Sequence, residues 1–140
     1  MKLKSQKGFS LIELLIVVVI IGVIAALGVP LFRKAKYSAE NGAIFAVTRI
    51  ISQEQTAFYS QNARYARLDE LNQLRNNGFG TTSGNTILRG NFTFAMSPPA
   101  PANTDLRDDY TILATKTTDA AEVPYQISIS ASGEIIQIIP

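Results

Sequence analysis

The chain has 140 residues, room for one small domain beside a spanning helix, and its 13 basic and 11 acidic side chains give a net charge of +2. Three of the basic residues, Lys2, Lys4 and Lys7, fall in the first eight positions; without them the balance is 10 against 11, or −1, so the basicity is local to the N-terminus and gives no support to nucleic-acid binding. Cysteine and histidine are absent, which removes disulfides, thiol chemistry and the commonest general base, nucleophile and zinc ligands, and no residue pattern calls for a cofactor.

A short basic leader, residues 1–8, runs directly into an apolar stretch. From Phe9 to Phe32 there are 24 residues and a single ionisable one, Glu13. As a helix at ~1.5 Å per residue the stretch extends roughly 36 Å, enough to cross a hydrocarbon core of ~30 Å. It is longer than the ~7–15 residues of a secretory h-region, and no A-x-A cleavage site follows it. A plain signal-anchor helix is the simplest alternative. The acid is the anomaly, because a carboxylate costs ~2.5–3.5 kcal/mol at the centre of a spanning helix and less near its end. The nearest basic residue, Lys7, lies beyond Gly8, so the sequence offers Glu13 no partner within its own helix and points to an amine supplied from elsewhere.

Lys7-Gly8-Phe9-Ser10-Leu11-Ile12-Glu13, leading into an unbroken aliphatic run, resembles the processing site of the type IV pilin family. The resemblance implies that a membrane-embedded prepilin peptidase cuts after Gly8 and that the new N-terminal amine, on Phe9, is methylated. It implies further that Glu13, the fifth residue of the processed chain, faces the N-terminal amine of a neighbouring subunit during assembly. Gly22 and Pro30 also match positions the family tends to keep. The motif covers residues 1–32; the rest resembles the family in layout. Arg33, Lys34 and Lys36 flank the far end of the span as strongly as the leader flanks the near end, so the resemblance, and not the positive-inside rule, places the leader in the cytoplasm.

Within the span, Gly22-x-x-x-Ala26 has the small-residue spacing that lets helices approach closely. Pro30 removes a backbone donor and crowds the carbonyl of Ala26, which makes residues 22–30 the expected place for a kink or local melting. In the family the corresponding segment unwinds in assembled fibres. Beyond Phe32 the helix is expected to continue over residues 33–62 as an amphipathic segment, with Ala43, Ile44, Val47, Ile50, Ile51, Ala57 and Phe58 on the face that carries a globular head.

The head is expected over residues 63–140. Asn62-Ala63-Arg64-Tyr65 ends the long helix, Leu68, Leu71 and Leu74 predict a short helical turn or two, and residues 75–91, rich in glycine, read as a long loop. Strands are expected at 92–96, 110–115, 125–130 and 134–139, the last two joined by a turn at Ser132-Gly133. The fold class is therefore α+β, pilin-like: a long N-terminal helix, membrane-spanning and then amphipathic, packed against a small antiparallel sheet of four strands or fewer.

Asp105, Asp108 and Asp109 form an acidic loop, but their spacing matches no EF-hand, so no metal is assigned and a solvated loop is expected. Major pseudopilins typically show Trp-Gly and Pro-Tyr around a calcium loop; this chain has no Trp, and its only Pro-Tyr is Pro124-Tyr125. Phe32, Tyr37, Phe45, Phe58, Tyr59 and Tyr65 follow the helix, and core packing and subunit contacts account for them without the electron conduction proposed for some short pilins. The resemblance thus implies a non-enzymatic subunit of a helical homopolymer, held in the inner membrane before assembly and in an extracellular fibre after it, serving adhesion, twitching motility or DNA uptake. Its expected partners are other copies of itself, the prepilin peptidase, the inner-membrane assembly machinery and an outer-membrane secretin. A pseudopilin of a type II secretion system, and a minor pilin with a ligand- or DNA-binding head, are the alternatives.

Overall fold

A computed structural model describes residues 8–116 and 124–139. Apart from Gly8, the leader lies outside the described residues. The chain divides into two compact units, Met1–Ala39 and Glu40–Pro140. Helix α1 (Leu11–Asn62) contributes residues 11–39 to the first and 40–62 to the second, and is helical across Pro30.

In the first unit every residue from Leu11 to Phe32 is exposed, the large apolar side chains from 46% at Val17 to 81% at Leu11. This helix is long and apolar enough to cross a membrane. The β-branched residues that fill it are tolerated where water does not compete for the backbone hydrogen bonds.

The second unit has its own core. On α1, Ile44, Val47, Thr48, Ile51 and Gln55 are buried, a stripe at three- and four-residue steps. Ala43, Ile50 and Ala57, expected on this face, are exposed instead. Ile50 stands a turn of about 100° from Ile51, which carries it off the stripe. Two polar residues, Thr48 and Gln55, take places the hydrophobic pattern did not assign. Thr48 returns its hydroxyl to the Ile44 carbonyl at 2.9 Å. Gln55 donates to the Ala66 carbonyl and accepts from the Ala66 N–H, both at 2.8 Å.

Helix α1 ends where expected, with Ala63 at φ +52° and its N–H on the Tyr59 carbonyl at 2.9 Å. A second helix, α2 (Leu68–Leu74), buries Leu68, Leu71 and Asn72. Its first turn is capped by Glu70, which accepts from the Arg67 N–H at 3.0 Å.

Residues 75–91 are not a long loop. They contain β1 (Thr81–Ser83) and β2 (Thr86–Arg89), so the sheet has six strands rather than four or fewer. Gly84-Asn85 joins β1 to β2, and Gly90-Asn91 joins β2 to β3 (Phe92–Met96); both glycines sit at φ +58°. Two-residue Gly-Asn connections are hairpin turns, and each glycine that reads as loop punctuation supplies the positive φ such a turn needs. Asn72 anchors this region from beneath. Its amide accepts from the Phe79 N–H at 3.1 Å and donates to the Gly80 carbonyl at 2.9 Å and the Thr82 hydroxyl at 2.8 Å.

Strands β4 (Thr111–Lys116), β5 (Gln126–Ser130) and β6 (Ile135–Ile139) complete an antiparallel meander in the order β1-β2-β3-β4-β5-β6. Alternation along β3, β4 and β5 turns Phe92, Phe94, Ile112, Ala114, Ile127 and Ile129 into one core with Ile44, Val47 and Ile51. Lys116, at the end of β4, is buried with its Nζ 3.3 Å from a Glu40 carboxylate oxygen.

Candidate processing and assembly site

Gly8, Phe9 and Ser10 precede the first helical residue, Leu11, and all three are exposed. A Cβ added at Gly8 would meet nothing within 4 Å, so no neighbour in the described fold excludes a side chain there. Phe9 is 83% exposed. Glu13 does have a partner in its own segment, contrary to the sequence expectation: its Oε2 accepts the backbone N–H of Ser10 at 2.8 Å. Ser10 is the helix N-cap position and Glu13 the third helical residue, and a carboxylate there satisfies a backbone donor that the helix cannot. The signal was legible as Ser10-x-x-Glu13. A search for ionic partners passes over it, because the donor is main chain.

Farther along, Gly22 and Gly28 are open around their α-carbons. Ile24, Ala25, Gly28, Val29, Phe32, Arg33 and Lys36 line a concave strip of about 530 Å³. In hydrocarbon or against another helix such a strip accepts a side chain.

The head offers no comparable constellation. Among the described residues no three histidine, cysteine or acidic side chains come together as a metal site. Asp105 accepts from the Ala102 N–H at 3.0 Å, and one Asp109 oxygen accepts from the N–H groups of Tyr110 and Ala131 at 2.7 and 3.1 Å. These carboxylates shape their own loop. The guanidinium of Arg64 holds both oxygens of Glu70, at 2.7 and 2.9 Å, and lies 5.1 Å from the centre of the Phe58 ring. Hydrogen bonding from Arg64 is the main cause that keeps the Glu70 carboxyl below its ordinary range. Tyr59 meets Tyr65 at a tilt and Tyr65 meets Tyr110 edge-on, with centroids 4.7 Å apart at each step, and burial raises the Tyr110 phenol above its usual value. These rings close the end of the core beside α1.

A long N-terminal apolar helix and a six-stranded antiparallel sheet toward the C-terminus give the chain a pilin-like α+β fold. The profile of the Prokaryotic N-terminal methylation motif matches residues 3–29. The "Type IV major pilin protein PilA" of Myxococcus xanthus (strain DK1622) is 35% identical over 80 residues, 57% of this chain and 34% of that protein. Two proteins of Pseudomonas aeruginosa called "Fimbrial protein" are each 47% identical over 51 residues, 36% of this chain and 29% of theirs. The matched part thus spans about a third of the length of these relatives. No solved structure matches. Over its N-terminal segment the chain is therefore similar to type IV pilins.

Proposed function

We propose that this chain is a structural subunit of a type IV pilus, cut after Gly8, methylated on the amine of Phe9, and polymerised through its N-terminal helix. The observation that carries the reading is the methylation motif lying on a helix whose apolar side chains are all exposed from Leu11 to Phe32. Such a surface is covered by lipid before assembly and by other copies of the same helix afterwards. The inner membrane and the extracellular fibre are the two corresponding locations. A prepilin peptidase, the inner-membrane assembly machinery and an outer-membrane secretin are the partners this route requires.

The chemistry at the junction supports each step. Gly8 is exposed and outside the helix, as a peptidase needs its target chain to be. Methylation leaves the Phe9 amine a cation. A carboxylate has about four acceptor sites, and the Ser10 N–H occupies one on Glu13, so the rest of the carboxylate is open to an incoming ammonium. Attraction between opposite charges at 4 Å is worth about 4 kcal/mol at an effective dielectric of ~20, before desolvation is counted. That pairing fixes axial register, while the apolar residues beyond it supply the packing. Gly22 and Pro30 weaken the helix at the place where the fibre would stretch.

Glu13→Gln tests this mechanism, because the amide oxygen still accepts the Ser10 N–H while the charge is lost. The variant is expected to be cut and inserted normally, to form few or no fibres, and to accumulate as mature subunit in the inner membrane. Normal numbers of fibres composed only of Glu13→Gln subunits would contradict the charge pairing.

A further inference from the structure

The part of the head that least fits a solvated surface is β6. It reads Ile135-Ile136-Gln137-Ile138-Ile139, carries no charge, and forms an edge of the sheet with no strand beyond it among the described residues. Ile136 is 53% exposed and Ile138 49%. Edge strands are ordinarily protected by lysine, proline, shortness or a bulge. Here the protection is one irregularity, which falls opposite Gln126/Ile127 and leaves Ile135, Ile136 and Gln137 in regular register with β5. The other edge, β1, is three residues of threonine and serine.

We propose that β6 pairs antiparallel with β6 of a second copy of this chain. Three observations select that occupant. The strand is palindromic, so antiparallel pairing sets isoleucine against isoleucine on both sides of a central pair of glutamines. The neighbouring outer face is uncharged: Ala95, Leu113, Ser128 and Ile136 lie in one registered row, and no outward residue of β3, β4 or β5 is ionisable. Two copies therefore approach without like-charge repulsion, and a charged partner finds nothing to pair with. Finally, five residues of strand span only ~17 Å, too short an edge to bury the ~800 Å² per partner of a stable free dimer. The contact is weak singly and gains strength only where many copies stand in an array. A two-fold contact closes on itself and cannot propagate a filament, so it joins subunits of different fibres side by side. This last step rests on the reading of the chain as a fibre subunit.

The chain has no cysteine, so single-cysteine variants of the full-length protein report without background. Under a mild oxidant, Gln137→Cys is expected to give a disulfide-linked dimer both in sheared fibres and in membranes holding the full chain, whereas Thr81→Cys on the opposite edge stays monomeric. The double variant Ile136→Lys, Ile138→Lys is expected to make fibres in native number that no longer associate laterally in electron micrographs. A Gln137→Cys chain that stays monomeric in both preparations, or links to a protein of another mass, overturns the proposal. So do native fibres that never associate, or lysine-edged fibres that bundle as the native ones do. If the native chain forms no fibres at all, the pilus reading fails, and the membrane cross-link alone decides the strand pairing.

Discussion

Replacing Gln55 by leucine isolates one contact that ties the head to the helix. Gln55 and Ala66 are both fully buried, and the side-chain amide satisfies the N–H and the carbonyl of Ala66 together. Leucine has about the same size and can satisfy neither. Each buried backbone group left without a partner costs about 1–3 kcal/mol, and the added apolar burial returns ~1 kcal/mol. The net loss is about 1–5 kcal/mol, about 3 kcal/mol at the middle of the range. In a domain of ~100 residues each kcal/mol moves the melting temperature by ~4–8 °C, so the midpoint is expected to fall by roughly 10–25 °C. The assay is thermal unfolding of the full chain in detergent micelles, followed by tyrosine circular dichroism. Tyr65 lies next to Ala66 and meets Tyr110 edge-on, so its signal reports the same region. Gln53→Leu, on the exposed side of α1, is the control and should melt with the native protein. A Gln55→Leu midpoint equal to that of Gln53→Leu would refute the reasoning.

Ile51→Ala, at a side chain with no exposure, is expected to cost about 2–5 kcal/mol in the same melt. Gly80→Ala should destabilise the head, because a Cβ there runs into the carbonyl oxygen of Leu88 at a φ of +150°, whereas Gly84 has open space. The depressed Glu70 carboxyl gives the acid dependence its sign: the stabilisation is present above the ordinary carboxylate pKa and is lost as pH falls through the lower folded-state value. Glu70→Gln should therefore flatten stability against pH on the acid side, as read from melting midpoints across an acid titration. Burial of Tyr110 acts at the other end of the scale. Its raised phenol stabilises the fold fully below the unfolded pKa near 10 and progressively less as pH rises beyond it, which Tyr110→Phe should remove.

The apolar part of the long helix was legible because its run from Phe9 to Phe32 is interrupted by one acid alone, Glu13. The amphipathic stripe was legible only through its apolar members. Thr48 and Gln55 are buried because each satisfies a backbone group, a bond that hydrophobic periodicity does not register. The two N-terminal hairpins were hidden by their glycines. Gly84-Asn85 and Gly90-Asn91 resemble loop composition, and only their spacing of six residues, with short threonine- and leucine-containing runs between, marks them as turns. At the start of the helix, charge reasoning singled out Glu13 as the lone acid but looked only for a cation. The nearest donor is the main chain of Ser10, which the capping pattern announces.

The most direct test of the pilin reading is the mass of the subunit in sheared fibres. A chain that begins at Phe9 and is heavier by one methyl group is the predicted result. A fibre subunit that retains Met1 to Gly8, or one that begins beyond Phe32, would contradict it.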